Sequence, residues 1–293
     1  MEFRTPLARR RYDEVVAVPA RGIICLDFDG TLAPIVDEPS EARVHPRAGD
    51  VLAALGERFQ AVAIVTGRPV RQVLALADLE EVGRRIAEAG GRLMVLGQYG
   101  NERWSTDDPR VRTPRPPRGL ASLMAELPQL LEKAGAADAH LEEKGLAVAV
   151  HTRRLADPAA ALERLTPELT RAAGRHGLVL EPGRMVVEVR APGMDKGAAV
   201  RQLQKELRAD AIVFVGDDLG DLEAFEAVRA LRRGGMVGLL VCSGSEEQRA
   251  LVEVSDVVVD GPDGVMELLG GLASDAAAGS GSGSGSGDDA RER

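Results

Sequence analysis

The chain has 293 residues, with 37 basic and 46 acidic side chains and a formal net charge of −9. An acidic chain with no basic stripe is a poor candidate for binding nucleic acid, and without a run of 18 apolar residues no membrane span is expected. Its two cysteines, Cys25 and Cys242, lie in apolar strand-like runs, so we expect buried thiols and a reducing, cytoplasmic location.

An apolar run over residues 23–26 is typical of a strand buried on both faces of a parallel sheet, and the sequence DFDGT (27–31) follows it directly. Ligands of open α/β sheets bind beyond the carboxyl ends of the strands. Asp27 and Asp29 in this place suit a hard cation and a covalent step on phosphate, and Gly30 permits the turn. The alternative is an acidic turn that caps a helix.

Before and after the middle of the chain, predicted strands alternate with predicted helices. This order predicts a doubly wound, Rossmann-like α/β fold with a mostly parallel sheet. The predicted strands cover residues 61–65, 93–96, 211–215, 236–241 and 256–259. The predicted helices cover about 47–55, a segment that begins at Pro69, 196–207 and 221–228.

The middle of the chain follows a different pattern. After a proline-rich connector, the predicted order is helix, two strands, helix, two strands (αββαββ), over about 118–134, 139–144, 146–151, 157–174, 177–181 and 185–190, with hairpin turns at 144–145 and 183–184. We therefore predict an α+β cap domain (105–191), concerned with substrate specificity and inserted into a discontinuous core (1–104 and 192–273). A Gly/Ser-rich segment, 274–293, is predicted to be a flexible tail.

Four polar motifs follow strands or begin helices of the predicted core: DFDGT, Thr66-Gly67-Arg68, Asp195-Lys196-Gly197 and the sequence GDDLGD (216–221). If the strands are parallel neighbours, all four motifs meet at one edge of the sheet. A cluster of carboxylates there needs a cation, and magnesium prefers oxygen ligands. The Thr66 hydroxyl and the Lys196 ammonium would contact phosphoryl oxygens. Each motif alone is also an ordinary turn or helix cap.

The four motifs in this order resemble those of the haloacid dehalogenase (HAD) superfamily of phosphotransferases, over roughly residues 22–265. Within that superfamily, the segments DFDGTLAPIVDEPSEARVHP, LEEKGLAVAVHTR (141–153), EVRAPGMDKG (188–197) and GDDLGDLEAF (216–225) are similar to those of the trehalose-6-phosphate phosphatase family.

The resemblance implies that Asp27 is the nucleophile, which forms an aspartyl-phosphate, and that Asp29 is the general acid and base. Asp27, the backbone carbonyl of Asp29, and Asp217 would hold Mg²⁺. Asp218 and Asp221 would support the site by orienting metal-bound water or Lys196. Gly220 stands where the family usually has threonine, which leaves the rigidity of this loop and the role of Asp221 open.

For substrate binding, the resemblance implies Thr66, Gly67 and Arg68 in the core, and it implies further contacts to a glucose unit from the insert, by Glu142, Lys144 and Glu188. The alternative for the insert residues is a solvated charged hairpin.

The implied function is magnesium-dependent hydrolysis of trehalose 6-phosphate in trehalose biosynthesis, with a functional link to a trehalose-phosphate synthase. One alternative is a related sugar phosphatase that acts on sucrose phosphate or mannosyl-3-phosphoglycerate. The other is a non-catalytic sugar-phosphate sensor or partner subunit.

Overall fold

The computed structural model describes residues 2–36, 41–183, 185–244 and 249–281. The chain divides into two compact units: a core unit of Met1–Arg112 with Asp195–Arg293, and an insert unit of Thr113–Met194. The insert unit begins eight residues after the predicted 105 and ends three residues after the predicted 191. Residues 37–40 of the proline-rich loop, Arg184 of a predicted hairpin turn and residues 282–293 of the predicted tail lie outside the described residues.

The elements are numbered here in chain order. Before the insert unit the chain forms β1 (Glu2–Phe3), α1 (Pro6–Ala17), β2 (Gly22–Leu26), α2 (Ala48–Gly56), β3 (Ala61–Val65), α3 (Val70–Ala77), α4 (Leu79–Glu88), β4 (Leu93–Gly97), β5 (Glu102–Ser105) and β6 (Asp108–Arg112). The insert unit contains α5 (Leu120–Lys133), β7 (His140–Glu143), β8 (Ala147–His151), α6 (Pro158–Arg175), β9 (Val179–Gly183) and β10 (Val186–Arg190). The chain then forms α7 (Lys196–Leu207), β11 (Ala211–Gly216), α8 (Leu222–Arg233), β12 (Val237–Gly244), α9 (Arg249–Val254), β13 (Val257–Asp260) and α10 (Gly261–Gly281).

The core unit is built on a nine-stranded sheet in the order β1-β13-β12-β11-β2-β3-β4-β5-β6. The six strands from β13 to β4 are parallel to their neighbours, whereas β1 at one edge and the β5–β6 pair at the other are antiparallel. This mixed α/β architecture with a central parallel sheet confirms the predicted fold class.

Burial explains why the central strands are continuous apolar runs. Successive side chains of a strand point to opposite faces. In β2, Ile24 and Leu26 therefore belong to one hydrophobic cluster, with residues of α1, α2 and α10, whereas Ile23 and Cys25 belong to a second cluster, with residues of α7 and α8. Because helices cover both faces of the sheet, such a strand has no solvent-exposed face for polar residues, as is usual for parallel sheets.

Two parts of the core differ from the sequence expectations. The β5–β6 hairpin extends the sheet through residues predicted as a connector. Its outer strand β6 forms the edge of the sheet, where exposed polar residues and Pro109 are tolerated. Helix α10 continues to Gly281, although a flexible tail was predicted from residue 274. Ala276 is buried, and the Tyr12 hydroxyl donates a hydrogen bond of 2.8 Å to Asp275. Packing against α1 therefore keeps this part of α10 helical, although its composition predicts a flexible tail.

The insert unit has the element order αββαββ and a four-stranded antiparallel sheet, β7-β8-β10-β9. Val148 and Val150 of β8 and Val187 and Val189 of β10 pack with the apolar side chains of α5 and α6. The residues that alternate with these valines therefore occupy the other face of the sheet. Among the described residues of the whole chain, no helix combines the length and apolarity needed to cross a bilayer.

Candidate active site

Asp27 and Asp217 follow neighbouring parallel strands, β2 and β11, and are therefore brought together at the carboxyl ends of both. The Asp27 amide donates to the Val215 carbonyl (2.9 Å), which continues the ladder between the strands. Gly30 has a φ of +70°, and a Cβ atom at this position would lie 2.1 Å from Oδ2 of Asp217. Only glycine allows the DFDGT turn to approach this carboxylate so closely.

Lys196 joins two of the buried acids. Its Nζ lies 2.8 Å from Oδ1 of Asp27 and 2.7 Å from Oδ1 of Asp221, and the three side chains are 5%, 7% and 0% exposed. Asp195 is the N-cap of α7 and accepts a hydrogen bond from the Ala198 amide (2.6 Å). This cap fixes Lys196 at the first position of the helix.

Asp221 is more central to the site than the sequence indicated. Its Oδ2 accepts hydrogen bonds from the amides of Asp217 (2.9 Å) and Asp218 (3.3 Å), while Oδ1 contacts Lys196. Asp218 in turn accepts a hydrogen bond from the Gly220 amide (2.8 Å) and forms a capping box with Asp221. These contacts order the loop without a side chain at position 220.

The carboxyl groups strongly perturb one another. Burial, followed by the charges of Asp221 and Asp218, raises the pKa of Asp27 well above its ordinary value, against the effect of Lys196. Burial, and then the charges of Asp27 and Asp221, raise the pKa of Asp217 to about 10. Burial alone would lower the pKa of Lys196, but Asp221 and Asp27 outweigh it and raise that pKa. One ammonium thus faces several buried acids, and the group lacks positive charge.

The acids fit a divalent cation. Carboxylate oxygens of Asp27, Asp217 and Asp221 all lie within 4.8 Å of one another. A donor set made only of oxygen suits a hard cation such as Mg²⁺. Because Asp221 is already bonded to Lys196 and to two amides, Asp27 and Asp217 are the carboxylates best placed to be ligands. Coordination by the Asp29 carbonyl stays a prediction.

Asp29 and the Thr66-Gly67-Arg68 loop also meet at this edge. Both carboxylate oxygens of Asp29 accept hydrogen bonds from the Arg68 guanidinium, at 2.6 Å from Nε and 2.7 Å from Nη2. The guanidinium also lies 5.5 Å from the centre of the Phe28 ring. The Thr66 hydroxyl oxygen accepts a hydrogen bond from the Arg68 amide (3.1 Å), which leaves the hydroxyl proton to be donated elsewhere. A substrate contact by Arg68 stays a prediction.

Three further residues support these loops, and the sequence had not indicated a role for two of them, Ser243 and Tyr99. The Ser243 hydroxyl, at the end of β12, donates to the Gly30 carbonyl (2.6 Å). The buried Glu102 carboxylate accepts a hydrogen bond from the Val70 amide (2.8 Å) at the start of α3, and Tyr99 packs against Gly67. A polar residue that ends an apolar run was a usable signal for Ser243, whereas Glu102 and Tyr99 act through contacts more than 30 residues away in sequence.

The predicted sugar-binding residues share the polar face of the insert sheet. Glu142 and Glu188 both pair with Ala149 of the strand between them, so they flank this small residue on the same face. Lys144 Nζ lies 2.6 Å from Oε2 of Glu188, and the carboxylate of Glu142 is 2.9 Å from Nε2 of His151. Carboxylates and an ammonium beside small side chains can accept from and donate to sugar hydroxyls.

The parallel sheet that carries this buried acid cluster and lysine has the fold of a haloacid dehalogenase-like hydrolase from Bacteroides thetaiotaomicron, with a TM-score of 0.59 at 16% identity, covering 85% of this chain and 98% of that one. The particular family follows from the sequence: the profile of the trehalose-phosphatase family matches residues 25–257, and the chain belongs to this family. Both conclusions confirm the resemblance that the four motifs indicated.

The proteins and structures similar to this chain include several that are named trehalose-phosphate phosphatases. The chain is 30% identical to the probable trehalose-phosphate phosphatase 9 of Oryza sativa subsp. japonica, over 90% of this chain and 74% of that one. It is 33% identical to an uncharacterized glycosyl hydrolase of Mycobacterium tuberculosis, over 71% of this chain but only 15% of that much longer protein. The structure of the C-terminal domain of C. albicans trehalose-6-phosphate phosphatase has the same fold, with a TM-score of 0.71 at 21% identity, covering 92% of this chain and 96% of that domain.

Proposed function

We propose that this protein is a magnesium-dependent phosphatase that hydrolyses trehalose 6-phosphate to trehalose and inorganic phosphate. The observation that carries the proposal is the buried group of Asp27, Lys196, Asp217 and Asp221 at the carboxyl ends of β2 and β11, in a chain of the trehalose-phosphatase family.

In the first step of the proposed reaction, a carboxylate oxygen of Asp27 attacks phosphorus. An acyl–phosphate bond forms, and the bond from phosphorus to the sugar oxygen breaks. Asp29 gives its proton to that oxygen, so trehalose leaves as a neutral alcohol. Arg68 holds Asp29 by both of its oxygens, which fixes the direction of the carboxyl group, and one of these hydrogen bonds must be released when Asp29 carries the proton.

In the second step, water attacks the phosphorus of the aspartyl-phosphate. Asp29 takes a proton from this water, the bond to Asp27 breaks, and inorganic phosphate is released. Asp27 returns to its carboxylate form, and Asp29 is again protonated for the next cycle. The ammonium of Lys196 and the hydroxyl proton of Thr66 are suited to the charged equatorial oxygens during both steps.

Asp27 and Asp217, with the carbonyl of Asp29, would hold the Mg²⁺ ion. When bound, Mg²⁺ supplies positive charge for the phosphoryl oxygens and offsets the repulsion between Asp27 and the incoming phosphate. Asp221 and Asp218 would act through the loop: Asp221 anchors Lys196 and the amide of Asp217, and Asp218 caps the turn.

We further propose that the polar face of the insert sheet recognises the sugar. Glu142 and Glu188 would accept hydrogen bonds from glucose hydroxyls, and Lys144 would donate. The ion pair between Lys144 and Glu188 supports this role, because it holds a side chain of each sign at one place. Gly67 would line the phosphate end of the site, next to Thr66 and Arg68.

A panel of phosphorylated sugars tests this proposal directly. Phosphate release is measured for trehalose 6-phosphate, sucrose phosphate, mannosyl-3-phosphoglycerate and glucose 6-phosphate, each with Mg²⁺ titrated from zero. We expect trehalose 6-phosphate to have the highest kcat/KM and chelation to abolish turnover. Equal turnover of glucose 6-phosphate would refute disaccharide selectivity, and full activity of Asp27→Asn would refute the covalent step.

The reaction that supplies this substrate must join two glucose units, one of them phosphorylated, so we propose a functional link to a trehalose-phosphate synthase. Coupled turnover with such a synthase, compared with the separate enzymes, tests that link. Cys25 and Cys242 are free buried thiols, which supports our placement of the protein in the reducing cytoplasm. Cell fractionation tests this location.

A further inference from the structure

A strained segment lies directly behind the proposed phosphate-binding loop. After β4, three successive residues adopt left-handed backbone conformations: Gln98 (φ 46°), Tyr99 (φ 60°) and Gly100 (φ 93°). Only the last is glycine, and non-glycine residues visit this region rarely and at an energetic cost. Such conformations persist where the surroundings over-determine them, and they concentrate at functional sites.

Hydrogen bonds explain what holds this segment in place. The Gln98 amide donates to the Arg68 carbonyl and the Tyr99 amide donates to the Thr66 carbonyl, each at 2.9 Å. The left-handed turn therefore directs two consecutive amides at the two ends of the Thr66-Gly67-Arg68 loop. A regular strand could not do this, because successive amides of a strand point in opposite directions.

The side chain of Tyr99 supports the middle of the same loop. A Cβ atom placed on Gly67 would lie 2.8 Å from the Tyr99 hydroxyl oxygen and 2.9 Å from Cζ of its ring. The phenol end of Tyr99 thus fills the space that any side chain at position 67 would need. Position 67 is glycine because of this contact and not because of its own backbone conformation, since its φ is not positive.

The segment also reaches the helix that begins with Lys196. A Cβ atom on Gly100 would lie 2.8 Å from Cβ of Ala199, in the first turn of α7. Residues 98–100 therefore fill the space between two elements that we expect to hold phosphate, the Thr66 loop and the start of α7. Because protein interiors are closely packed, the shape of residues 98–100 determines the distance between the Thr66 hydroxyl and the Lys196 ammonium.

We infer that Tyr99 is a positioning residue for the phosphate-binding loop. Its ring presses on the Gly67 backbone and its left-handed conformation fixes both ends of the loop, so that Thr66 keeps the distance from Lys196 that a phosphoryl group requires. This inference rests on the proposed function only in assuming that the loop binds phosphate. The hydroxyl oxygen and the ring carbon Cζ lie at nearly equal distances from the Cβ position on Gly67, so the end of the ring carries the role, and phenylalanine keeps the ring carbon there.

The test compares Tyr99→Asn with Tyr99→Phe in the full chain with Mg²⁺. Asparagine tolerates the left-handed conformation but lacks the ring, whereas phenylalanine keeps the ring. The probe is inorganic phosphate, whose dissociation constant is measured by calorimetry, together with kcat and KM for trehalose 6-phosphate and the Tm. Asp78→Asn is the matched control, because Asp78 is also left-handed (φ 48°) but lies between α3 and α4.

We expect Tyr99→Asn to weaken phosphate binding about tenfold and to lower kcat/KM at least about tenfold, because small misplacements of binding groups have large kinetic effects. Tyr99→Phe and Asp78→Asn should stay within about threefold of the wild type. A residue with a purely structural role would lower the Tm while the phosphate affinity of the folded protein stayed the same.

Wild-type phosphate affinity in Tyr99→Asn would overturn the inference, as would an equal loss in Tyr99→Phe and Tyr99→Asn. If Tyr99→Asn does not fold, Tyr99→His decides: its shorter ring should weaken phosphate binding about threefold or more, and unchanged affinity would refute the role. Failure of the wild type to hydrolyse trehalose 6-phosphate would count against the proposed function alone, because phosphate affinity is measured without the sugar.

Discussion

Asp221→Asn tests the residue whose role the sequence left open. The change removes one of the two carboxylates that pair with the buried Lys196 ammonium. The asparagine oxygen can still accept the Asp217 amide, but its NH₂ group then faces Nζ, donor against donor. Breaking a buried ion pair by removing one partner costs about 3–5 kcal/mol. Because Asp27 remains 2.8 Å from Lys196, we expect roughly half of that loss, about 2 kcal/mol of unfolding free energy.

Activity should fall further than stability. With Asp221 neutral, Lys196 is held from one side only, and we expect kcat to fall about 100-fold, as small displacements of a catalytic group commonly cause. Urea unfolding followed by circular dichroism measures the free energy, and phosphate release measures kcat. The control is Asp218→Asn, since asparagine is an equally good N-cap and should change the unfolding free energy by less than about 0.5 kcal/mol. An equally small change for Asp221→Asn would refute the reasoning.

Three further predictions concern the neighbouring contacts. In Arg68→Lys, the lysine cannot form two parallel hydrogen bonds with Asp29, so kcat should fall about tenfold with little change in Tm. An unaltered kcat would contradict the role of Arg68 in positioning Asp29. Gly30→Ala should weaken Mg²⁺ binding, measured by calorimetry, at least about tenfold, because its methyl group would displace the Asp217 carboxylate; normal Mg²⁺ affinity would argue against Asp217 as a ligand. Burial raises the pKa of Cys25 to about 12, so a thiol reagent should label it at pH 8 only after unfolding. Labelling of Cys25 in the native protein would contradict its burial. Because its folded pKa lies above its unfolded value, this thiol stabilises the fold least at high pH, and its own contribution should lower the unfolding free energy by about 1 kcal/mol from pH 9 to pH 10. Burial also raises the pKa of Cys242, to about 11, so that thiol should add a fall of similar size.

The central strands and the main acids of the site could be predicted from the sequence. A strand covered on both faces must be apolar throughout, so the run 61–65 marks β3, and polar residues directly after such runs mark the functional edge. Asp27 and Asp217 were predicted in this way, and Lys196 was predicted from its motif at the start of a helix. Their closeness followed from one topological expectation, that the strands are parallel neighbours.

The edges of the fold required the tertiary structure. The strands of the β5–β6 hairpin are polar in part and partly exposed, and their local sequence pattern does not indicate that β5 pairs with β4. Residues 274–281 read as part of a flexible tail, yet they continue α10, where Tyr12 reaches Asp275 and Ala276 is buried. The composition of a segment indicates which conformation the segment prefers on its own in water. Whether the segment is buried depends on a partner that is distant in sequence.

The sequence by itself determined which side chains stand at the strand ends, because the proposed covalent step and the proposed metal each require particular side chains directly after a buried strand. Only the tertiary structure decided how those side chains are held: Asp221 on Lys196, Arg68 on Asp29, and Tyr99 against Gly67. Each of these contacts joins separate loops across at least 25 residues of chain. Their geometry is set by the packing of whole strands and helices, and no local pattern records it.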